Sequence, residues 1–162
     1  MGFIEVITKL FGNKSQKDMR AVMPYVEKIR AVDAEIDALS DDELRARSAA
    51  LMQSLQDAVA QNKARITELK ASIESLEIDH RERVYNEIDH LEKEVLDIYD
   101  KKLMDILPDA FAVVKSTARR FAENETVVVT ATQMDRDLAA DTRFDFVEID
   151  GDKAIYHNSW TA

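Results

Sequence analysis

The chain has 162 residues, the length of one ordinary domain, and it contains no cysteine, which excludes disulfides and thiolate metal sites. Three glycines and two prolines are too few for the many turns of a β-sandwich or barrel. The net charge of −10 argues against a nucleic-acid-binding protein, and no stretch has the apolar length of a membrane span or of the core of an export signal.

The first twenty residues combine an apolar helix face with positive charge. The apolar residues recur at helical spacing and are Phe3, Ile4, Ile7, Leu10 and Phe11. Four basic residues stand against two acidic ones and give the segment a net charge of +2; they are Lys9, Lys14, Lys17 and Arg20. Gly12 and Asn13 predict that the helix stops there. A helix this short needs a surface, which is either the protein's own core or a membrane or partner.

The next helix is expected over residues 17–39, where apolar residues recur every three or four positions. Pro24 is tolerated near a first turn but kinks a helix interior, so the helix boundary is expected at Met23 or Pro24. The sequence Ser-Asp-Asp-Glu that follows is a capping box, in which Ser40 and Glu43 each bond the other's backbone amide. It predicts the start of a new helix at that point.

Residues 41–105 contain neither glycine nor proline and carry two narrow apolar stripes with charged flanks. Steps of three and four dominate within each stripe, as in a coiled coil. One continuous helix of this length would extend about 97 Å at 1.5 Å per residue. The alternative is an antiparallel hairpin with a turn near Glu77–Arg81, where the spacing of the apolar residues changes and the stripe shifts by about one residue. The narrow stripes favour the hairpin, because each buries little unless it faces another helix.

A further helix and a strand follow. Pro108 and Asp109 suit the first turn of a helix, which is expected to end at Asn124. Thr126–Thr130 is β-branched throughout and predicts a strand, whereas residues 133–142 are polar and give no clear signal.

The last element is expected to be a β-hairpin. Asp150-Gly151 lies between the apolar runs Phe144–Ile149 and Lys153–Tyr156, which is a strong hairpin signal. A two-residue loop would place Glu148 opposite Lys153. The predicted fold is therefore mainly α, a helical bundle with a long antiparallel coiled-coil arm and a small C-terminal β element.

Few residues suggest a catalytic, cofactor-binding or metal-binding site. The glycines are isolated, so no glycine-rich loop is available to hold a phosphate. Glu77–His80 and Glu87–His90 are two Glu-x-x-His sequences of the kind that di-iron bundles use on separate helices. On one helix, however, ten residues would separate them by about 15 Å, too far to share a metal pair. We interpret them as solvated residues of the coiled coil, and we predict no catalytic, cofactor-binding or metal-binding residue.

Two phrases carry a family resemblance. Leu-Ser-Asp-Asp-Glu-Leu-Arg at residues 39–45 and Ile-Leu-Pro-Asp-Ala-Phe-Ala-Val-Val at residues 106–114, together with the basic amphipathic opening, resemble the N-terminal region of SecA, the ATPase motor of bacterial preprotein translocation. The resemblance covers residues 1–55 and 103–121. About 60 residues separate the phrases where most of the family has a short loop, which implies a helical insertion. An insertion must leave and return to nearly the same place, which also favours the hairpin.

The resemblance implies a function. SecA-like proteins use ATP and Mg to drive preproteins through the SecYEG channel at the cytoplasmic face of the bacterial membrane, often as dimers. The family's ATP-binding motifs lie further along its sequence, so the resemblance implies that this chain is a fragment whose parent is the ATPase and which itself lacks the ATP site. The family's N-terminal helix contributes to anionic phospholipid binding, channel docking and dimer contacts. By match, that role is carried by Phe3, Ile4, Ile7, Lys9, Leu10, Phe11, Lys14, Lys17 and Arg20.

The expected organisation has five parts. They are a basic amphipathic helix at 1–20, scaffold helices at 21–58, the coiled-coil insertion at 59–102, a scaffold helix at 103–124 and a small β-hairpin region at 125–162. An alternative function fits the composition equally well: a free-standing coiled-coil adaptor that tethers proteins to a membrane and has no parent ATPase. The coding frame beyond Ala162 distinguishes the two, because only the SecA hypothesis requires a phosphate-binding loop to follow.

Overall fold

The computed structural model describes the backbone of residues 3–158 and the side chains of residues 16–158. The described elements follow one another as four helices and three strands with one short 3₁₀ turn. They are α1 (Phe3–Asp37), α2 (Asp41–Ser72), the 3₁₀ turn Ile73–Ser75, α3 (Ile78–Glu123), β1 (Thr126–Thr130), α4 (Gln133–Ala140), β2 (Val147–Asp150) and β3 (Lys153–His157). The predicted fold class, a mainly helical chain with a small C-terminal β element, is confirmed.

Helix α1 is longer than the sequence suggested. It continues through Gly12 and Asn13 and also through Pro24, so the predicted helix stop and the predicted boundary at Met23 or Pro24 are wrong. A single interior glycine costs a helix only about 1 kcal/mol relative to alanine. Proline costs more, but the half-buried side chains around it, which include Val26, keep α1 packed along α3. Tertiary packing therefore overrides both local stop signals.

The capping box at the start of α2 is confirmed. The Ser40 hydroxyl accepts a hydrogen bond from the Glu43 amide at 3.3 Å, and the Glu43 carboxylate accepts one from the Ser40 amide at 2.8 Å. These two bonds satisfy amides that the first helical turn leaves without intrahelical partners.

Helices α2 and α3 form the predicted antiparallel hairpin, and the continuous helix is wrong. The connection occupies residues 73–77, slightly before the expected turn at Glu77–Arg81. Arg81 closes this turn without glycine or proline, because its guanidinium donates hydrogen bonds to the carbonyl of Leu76 at 3.0 Å and to the carbonyl of Glu74 at 3.4 Å. Side-chain bonds to backbone carbonyls thus replace the usual turn residues.

The hairpin arm has its own narrow core. Its buried residues come from both predicted stripes and are Val59, Ile66, Leu69, Ile88 and Val95. Ion pairs join the exposed flanks, with Arg65 at 2.9 Å from Glu87 and Lys70 at 2.8 Å from Glu92. The arm is therefore a two-helix coiled coil with an apolar seam and charged edges.

Helix α3 runs without interruption through Pro108, so the predicted helix start there is wrong. The reason lies in the packing next to the proline. Val95 of α3, before the proline, is buried in the core of the arm. Ala112 and Val113, after it, are buried against Ile36 of α1 and Leu44 of α2, so packing on both sides of Pro108 keeps it within one helix. The predicted end at Asn124 is confirmed, since this residue caps α3.

The three strands form an antiparallel sheet in the order β1-β3-β2. Strand β1 and the hairpin are confirmed, but the two-residue loop lies one position later than predicted, which changes each strand partner by two residues. Asp150 pairs with Lys153, whereas Glu148, predicted to face that lysine, pairs with Ile155. The loop begins at Gly151, whose φ of +61° is a left-handed conformation that suits glycine.

Candidate functional site

The predicted docking residues all belong to helix α1. The side chains of Phe3, Ile4, Ile7, Lys9, Leu10, Phe11 and Lys14 lie outside the described residues, and only their helical backbone is given. Lys17 and Arg20 are exposed to solvent. The structure therefore brings the predicted residues onto one helix, and it describes the side chains of two of them.

The described part of α1 also exposes apolar side chains beside these two bases. Met19 is 58% exposed and Val22 is 53% exposed. Both are large apolar residues, and both lie one turn or less from Arg20. The described part of α1 therefore begins with exposed apolar and basic side chains, ahead of the half-buried Val26.

A buried carboxylate joins the helical part of the chain to the sheet. Arg45 on α2 donates hydrogen bonds to both oxygens of Asp135 on α4, each at 2.8 Å, although the two residues are 90 positions apart. The hydroxyl of Tyr156 on β3 donates to the same carboxylate. Asp135 also accepts from the Thr132 amide at 2.7 Å and closes the capping box of α4. We refer to these four residues as the Arg45–Asp135 network.

The environment of Asp135 favours its ionised form. The carboxylate side chain is fully buried, and burial alone would raise its pKa. Hydrogen bonds from Arg45, Tyr156 and Thr132 outweigh that penalty and hold the pKa of Asp135 well below its ordinary value. The same burial raises the pKa of the Tyr156 phenol, which also donates to the carboxylate. The network is consequently a stable charged connection and not a proton-transfer pair at neutral pH.

A second connection lies one turn earlier on α2. The amide and the hydroxyl of Thr130, at the end of β1, donate to the two oxygens of Asp42 at 2.8 and 2.7 Å. Arg45 also donates to the Thr130 carbonyl at 3.1 Å. The first turns of α2 therefore hold the end of β1 at a fixed position.

An open apolar groove of about 560 Å³ lies beside these connections. Its walls come from the start of α2, the last turns of α3, and strands β1 and β3. The lining residues are Asp41, Leu44, Arg45, Ser48, Val113, Val114, Thr117, Ala118, Phe121, Val127, Val129 and Tyr156. Val114 is 67% exposed at this surface. We call it the apolar groove.

The structure places the two Glu-x-x-His sequences differently: Glu77 and His80 are exposed at the start of α3, whereas Glu87 and His90 lie along the arm. Glu87 is paired with Arg65 across the arm, and His90 lies 3.6 Å from Glu94 on its own helix. Among the described residues, no cluster of three or more histidine or acidic side chains could hold a metal ion. No helix within residues 3–158 has the length and apolarity to cross a membrane.

Sequence reasoning did not find the Arg45–Asp135 network. A local signal was present, because Thr132 and Asp135 have the spacing of a capping box and mark the start of α4. The partnership of Asp135 with Arg45 had no such signal, since it depends on how the sheet packs against α2. The groove was not predicted either, because it exists only where α2, α3 and the sheet meet.

Comparison with known proteins identifies the family. Residues 7–135 match the family model described as the SecA DEAD-like domain. The chain is 55% identical over 162 residues to the protein translocase subunit SecA of Parabacteroides distasonis, and 52% and 54% identical to those of Porphyromonas gingivalis and Phocaeicola vulgatus. These alignments cover 100% of the chain but only 14–15% of each relative. No solved structure gives a significant match. On the family model and these full-chain alignments, the chain belongs to the SecA family.

Proposed function

We propose that the chain is the N-terminal part of a SecA-like, ATP-driven translocase that moves preproteins through the SecYEG channel. The observation that carries this proposal is the 55% identity along the whole chain to a protein named protein translocase subunit SecA. The spacing of the two family phrases agrees, since the residues between them form an antiparallel arm that returns to its starting point. Within this translocase, the chain supplies a docking helix and a scaffold.

The docking role belongs to the basic, apolar residues of the first twenty positions, at the inner face of the bacterial cell membrane. The exposure of Lys17, Arg20 and Met19 supports it. Each basic residue near an anionic leaflet contributes about 1 kcal/mol, and apolar side chains add burial at the headgroup boundary. The remaining residues carry a net charge of −12, which repels anionic lipid and leaves the N-terminal helix as the part that binds.

The scaffold role belongs to α2 and to the C-terminal half of α3. The buried contact of Ile36, Leu44 and Val113 holds α1, α2 and α3 together. The Arg45–Asp135 network then holds the sheet against α2. A scaffold of this kind keeps a docking helix in a constant orientation relative to the rest of the translocase, and it needs no catalytic residue of its own.

ATP and Mg would bind to other parts of the translocase. A phosphate-binding loop needs clustered glycines before a helix, and this chain has three isolated ones. Gly151, the glycine with positive φ among the described residues, lies in a β-hairpin. These residues do not fit a nucleotide site, so calorimetry of the chain with Mg-ATP should show no binding. A micromolar dissociation constant would contradict this assignment.

A chimera tests the translocase proposal. The segment of the Parabacteroides distasonis SecA that aligns with this chain is replaced by residues 1–162, and ATP-dependent translocation into SecYEG-containing vesicles is measured. We expect the chimera to support translocation, and we expect a chimera lacking residues 1–20 to lose most of it. A folded chimera with no translocation would overturn the proposal. In the gene itself, a stop codon directly after Ala162 would favour the membrane-tethering adaptor.

Vesicle flotation tests the docking role separately. The Lys9→Glu, Lys14→Glu double variant should bind anionic vesicles more weakly than the Phe11→Ala variant at low salt, and the gap should narrow as salt screens the charges. A Lys93→Glu, Lys153→Glu double variant changes the net charge equally but outside the docking helix, and it should float like the unmodified chain. Equal flotation of residues 1–162 and 21–162 would contradict the docking role and would mean that the first twenty residues pack on the protein's own core.

Homodimer contacts through the same helix would appear as concentration-dependent sedimentation that residues 21–162 lack.

A further inference from the structure

The exposed apolar residues of α3 concentrate on one line along the helix. Their positions alternate in steps of seven and eleven residues, which turn an α-helix by about −20° and about +20°, so consecutive steps cancel. The exposed fractions run from 48% to 80% for the first four members, and Val114 is 67% exposed. We call this line the α3 stripe; its members are Ile78, Tyr85, Leu96, Leu103, Val114 and the half-buried Phe121.

Neither α1 nor α2 covers the stripe in the part of the chain that the structure describes. Val95, buried in the seam with α2, lies about 100° around the helix from Leu96. Lys115 lies about 100° from Val114 in the opposite direction, where it pairs with Asp33 of α1. The two neighbouring helices therefore pack on either side of the stripe and leave it open. A long exposed apolar surface of this kind is typical of a contact with another molecule.

We propose that the α3 stripe binds a second copy of this chain, with the two α3 helices antiparallel. The spacing of the stripe is the same when it is read from either end, because its steps are 7, 11, 7, 11 and 7 residues. A two-fold axis between Tyr99 and Asp100 therefore places every member opposite an apolar member of the second copy. The facing pairs are Ile78 with Phe121, Tyr85 with Val114, and Leu96 with Leu103.

The length of the stripe gives an interface of the size that a dimer needs. From Ile78 to Phe121, α3 extends about 65 Å at 1.5 Å per residue. Because a helix is about 10 Å wide, each copy would cover about 650 Å², and the pair about 1,300 Å². Specific protein–protein interfaces bury about 1,200–2,000 Å² in total. The stripe alone therefore reaches the lower end of that range.

The apolar groove gives the ends of the stripe a concave contact. Val114 and Phe121 line this groove of about 560 Å³, together with Val127 of β1. The antiparallel pairing brings the tip of the second copy's arm to the same place, so Ile78 and Tyr85 of that copy enter the groove. Pockets of about 300–1,000 Å³ accommodate organic groups of this size. One two-fold contact thus covers both the exposed arm tip and the open groove.

Two sets of charges beside the stripe act in opposite directions. Glu82 of one copy and Lys115 of the other lie on the same side of the interface, within about 3 Å of each other along the helix axis, and attract each other. The two Asp100 carboxylates lie next to the two-fold axis and repel each other. All of these side chains are exposed. The association should therefore strengthen when the charge of Asp100 is removed.

Sedimentation equilibrium of the whole chain tests the contact. We expect a reversible monomer–dimer equilibrium, and Leu96→Glu should weaken it at least about 30-fold, because it puts a charge at the centre of the interface. Met52→Glu, a matched change at a residue of similar exposure on α2, should leave the dimer intact. Asp100→Asn should tighten the dimer, a gain that loss of structure does not produce. Circular dichroism establishes that each variant keeps its helix content.

The direction of the pairing has its own test, because the chain contains no cysteine. Oxidation of a mixture of Tyr85→Cys and Val114→Cys should give a disulfide-linked heterodimer, since the two positions face each other. Either variant alone should stay unlinked, because an antiparallel pair separates its two copies of that position by about 44 Å along the axis.

A monomeric chain at every concentration would overturn the proposal, as would a dimer that Leu96→Glu does not weaken. A disulfide in Tyr85→Cys alone would show a parallel pairing and overturn it as well. An unlinked mixture would mean that any dimer forms elsewhere, for example through the first twenty residues. An Asp100→Asn variant that associates no more tightly than the unmodified chain would place Asp100 away from the axis and contradict the register.

Discussion

Asp135, at the start of α4, is fully buried, and two nitrogens of the Arg45 guanidinium each donate a hydrogen bond to its carboxylate at 2.8 Å. The two residues are 90 positions apart in the sequence. Arg45 itself keeps 31% of its side chain exposed. The pair is therefore asymmetric: removing the carboxylate leaves a partly hydrated cation, whereas removing the guanidinium leaves a buried anion. This asymmetry gives the first prediction.

Arg45→Ala should lower the free energy of unfolding by about 3–5 kcal/mol, the usual cost of leaving a buried charge without its partner. Arg45→Met combined with Asp135→Asn should recover most of that loss, because neither charge remains and the asparagine oxygen still accepts from Tyr156. Urea denaturation of Arg45→Met, Asp135→Asn and the double variant measures the coupling. Arg47→Ala is the matched control: its ion pair with Asp109 is more exposed and should cost about 1 kcal/mol or less. Strictly additive effects would contradict the network.

Acid should remove the contribution of Asp135. Its pKa is lowered in the folded chain, whereas an unfolded aspartate titrates near pH 4. Between the folded and unfolded pKa values the unfolded chain binds more protons, so stability rises with pH in that window and is lost as pH falls below about 4. The difference in unfolding free energy between the unmodified chain and Asp135→Asn should be constant from pH 5 to 7 and shrink below pH 4. A difference that does not change with pH would show that the carboxylate is not held in its charged form.

The sequence predicted correctly those helices and strands that depend on interactions between neighbouring residues. The capping hydroxyl of Ser40 and the β-branched run of Thr126–Thr130 each placed an element correctly, because the hydrogen bonds or backbone preferences that form it lie within a few residues. The hairpin arm was also predictable, since its two stripes must face each other to be buried. The docking residues were assigned by their pattern and by the family resemblance, and their role stays a prediction.

The incorrect predictions concern positions where tertiary packing outweighs the local sequence signal. Pro24 and Pro108 each suggested a helix boundary, yet both lie inside helices that have long neighbours along them. The position of the β-hairpin loop was wrong by one residue and the strand pairing therefore by two, because Asp-Gly left open which of the two residues begins the loop. The Arg45–Asp135 network and the groove arise from contacts between segments far apart in sequence, for which the chain carries no short-range pattern.

Pro108→Ala should stabilise the chain. A proline inside a helix lacks the amide that would bond four residues back, and it costs up to about 3 kcal/mol relative to alanine. Because α3 is one helix from Ile78 to Glu123, the alanine restores that bond, and the urea midpoint should rise. Pro24→Ala in α1 should act in the same direction. If α3 instead began at Pro108, the proline would sit in a favourable first turn and its replacement would leave the midpoint unchanged or lower it.

Ser40→Ala should cost about 0.5–2 kcal/mol, the usual effect of losing a helix N-cap. The Glu43 amide would lose its acceptor, and the reciprocal bond from the Ser40 backbone to the Glu43 carboxylate would lose its supporting geometry. Ser48→Ala, the same change two turns into α2, should be nearly neutral, because alanine is the better helix former there. Equal urea midpoints for the two variants would contradict the cap.

The α2–α3 arm should make the chain elongated in solution. With 46 residues at 1.5 Å each, α3 alone extends about 69 Å, and α2 covers only part of it. The buried seam of Val59, Ile66 and Ile88 is narrow and is shared between α2 and α3 alone, so we expect the arm to extend away from the bundle. Small-angle scattering should give a radius of gyration above the roughly 15 Å of a compact chain of this length. Ile66→Asp, which places a charge in the seam, should lower the helix content of the arm, whereas Thr67→Asp beside it on the exposed face should not. A radius at the compact value would require the arm to pack against the bundle and would contradict its two-helix, solvent-exposed form.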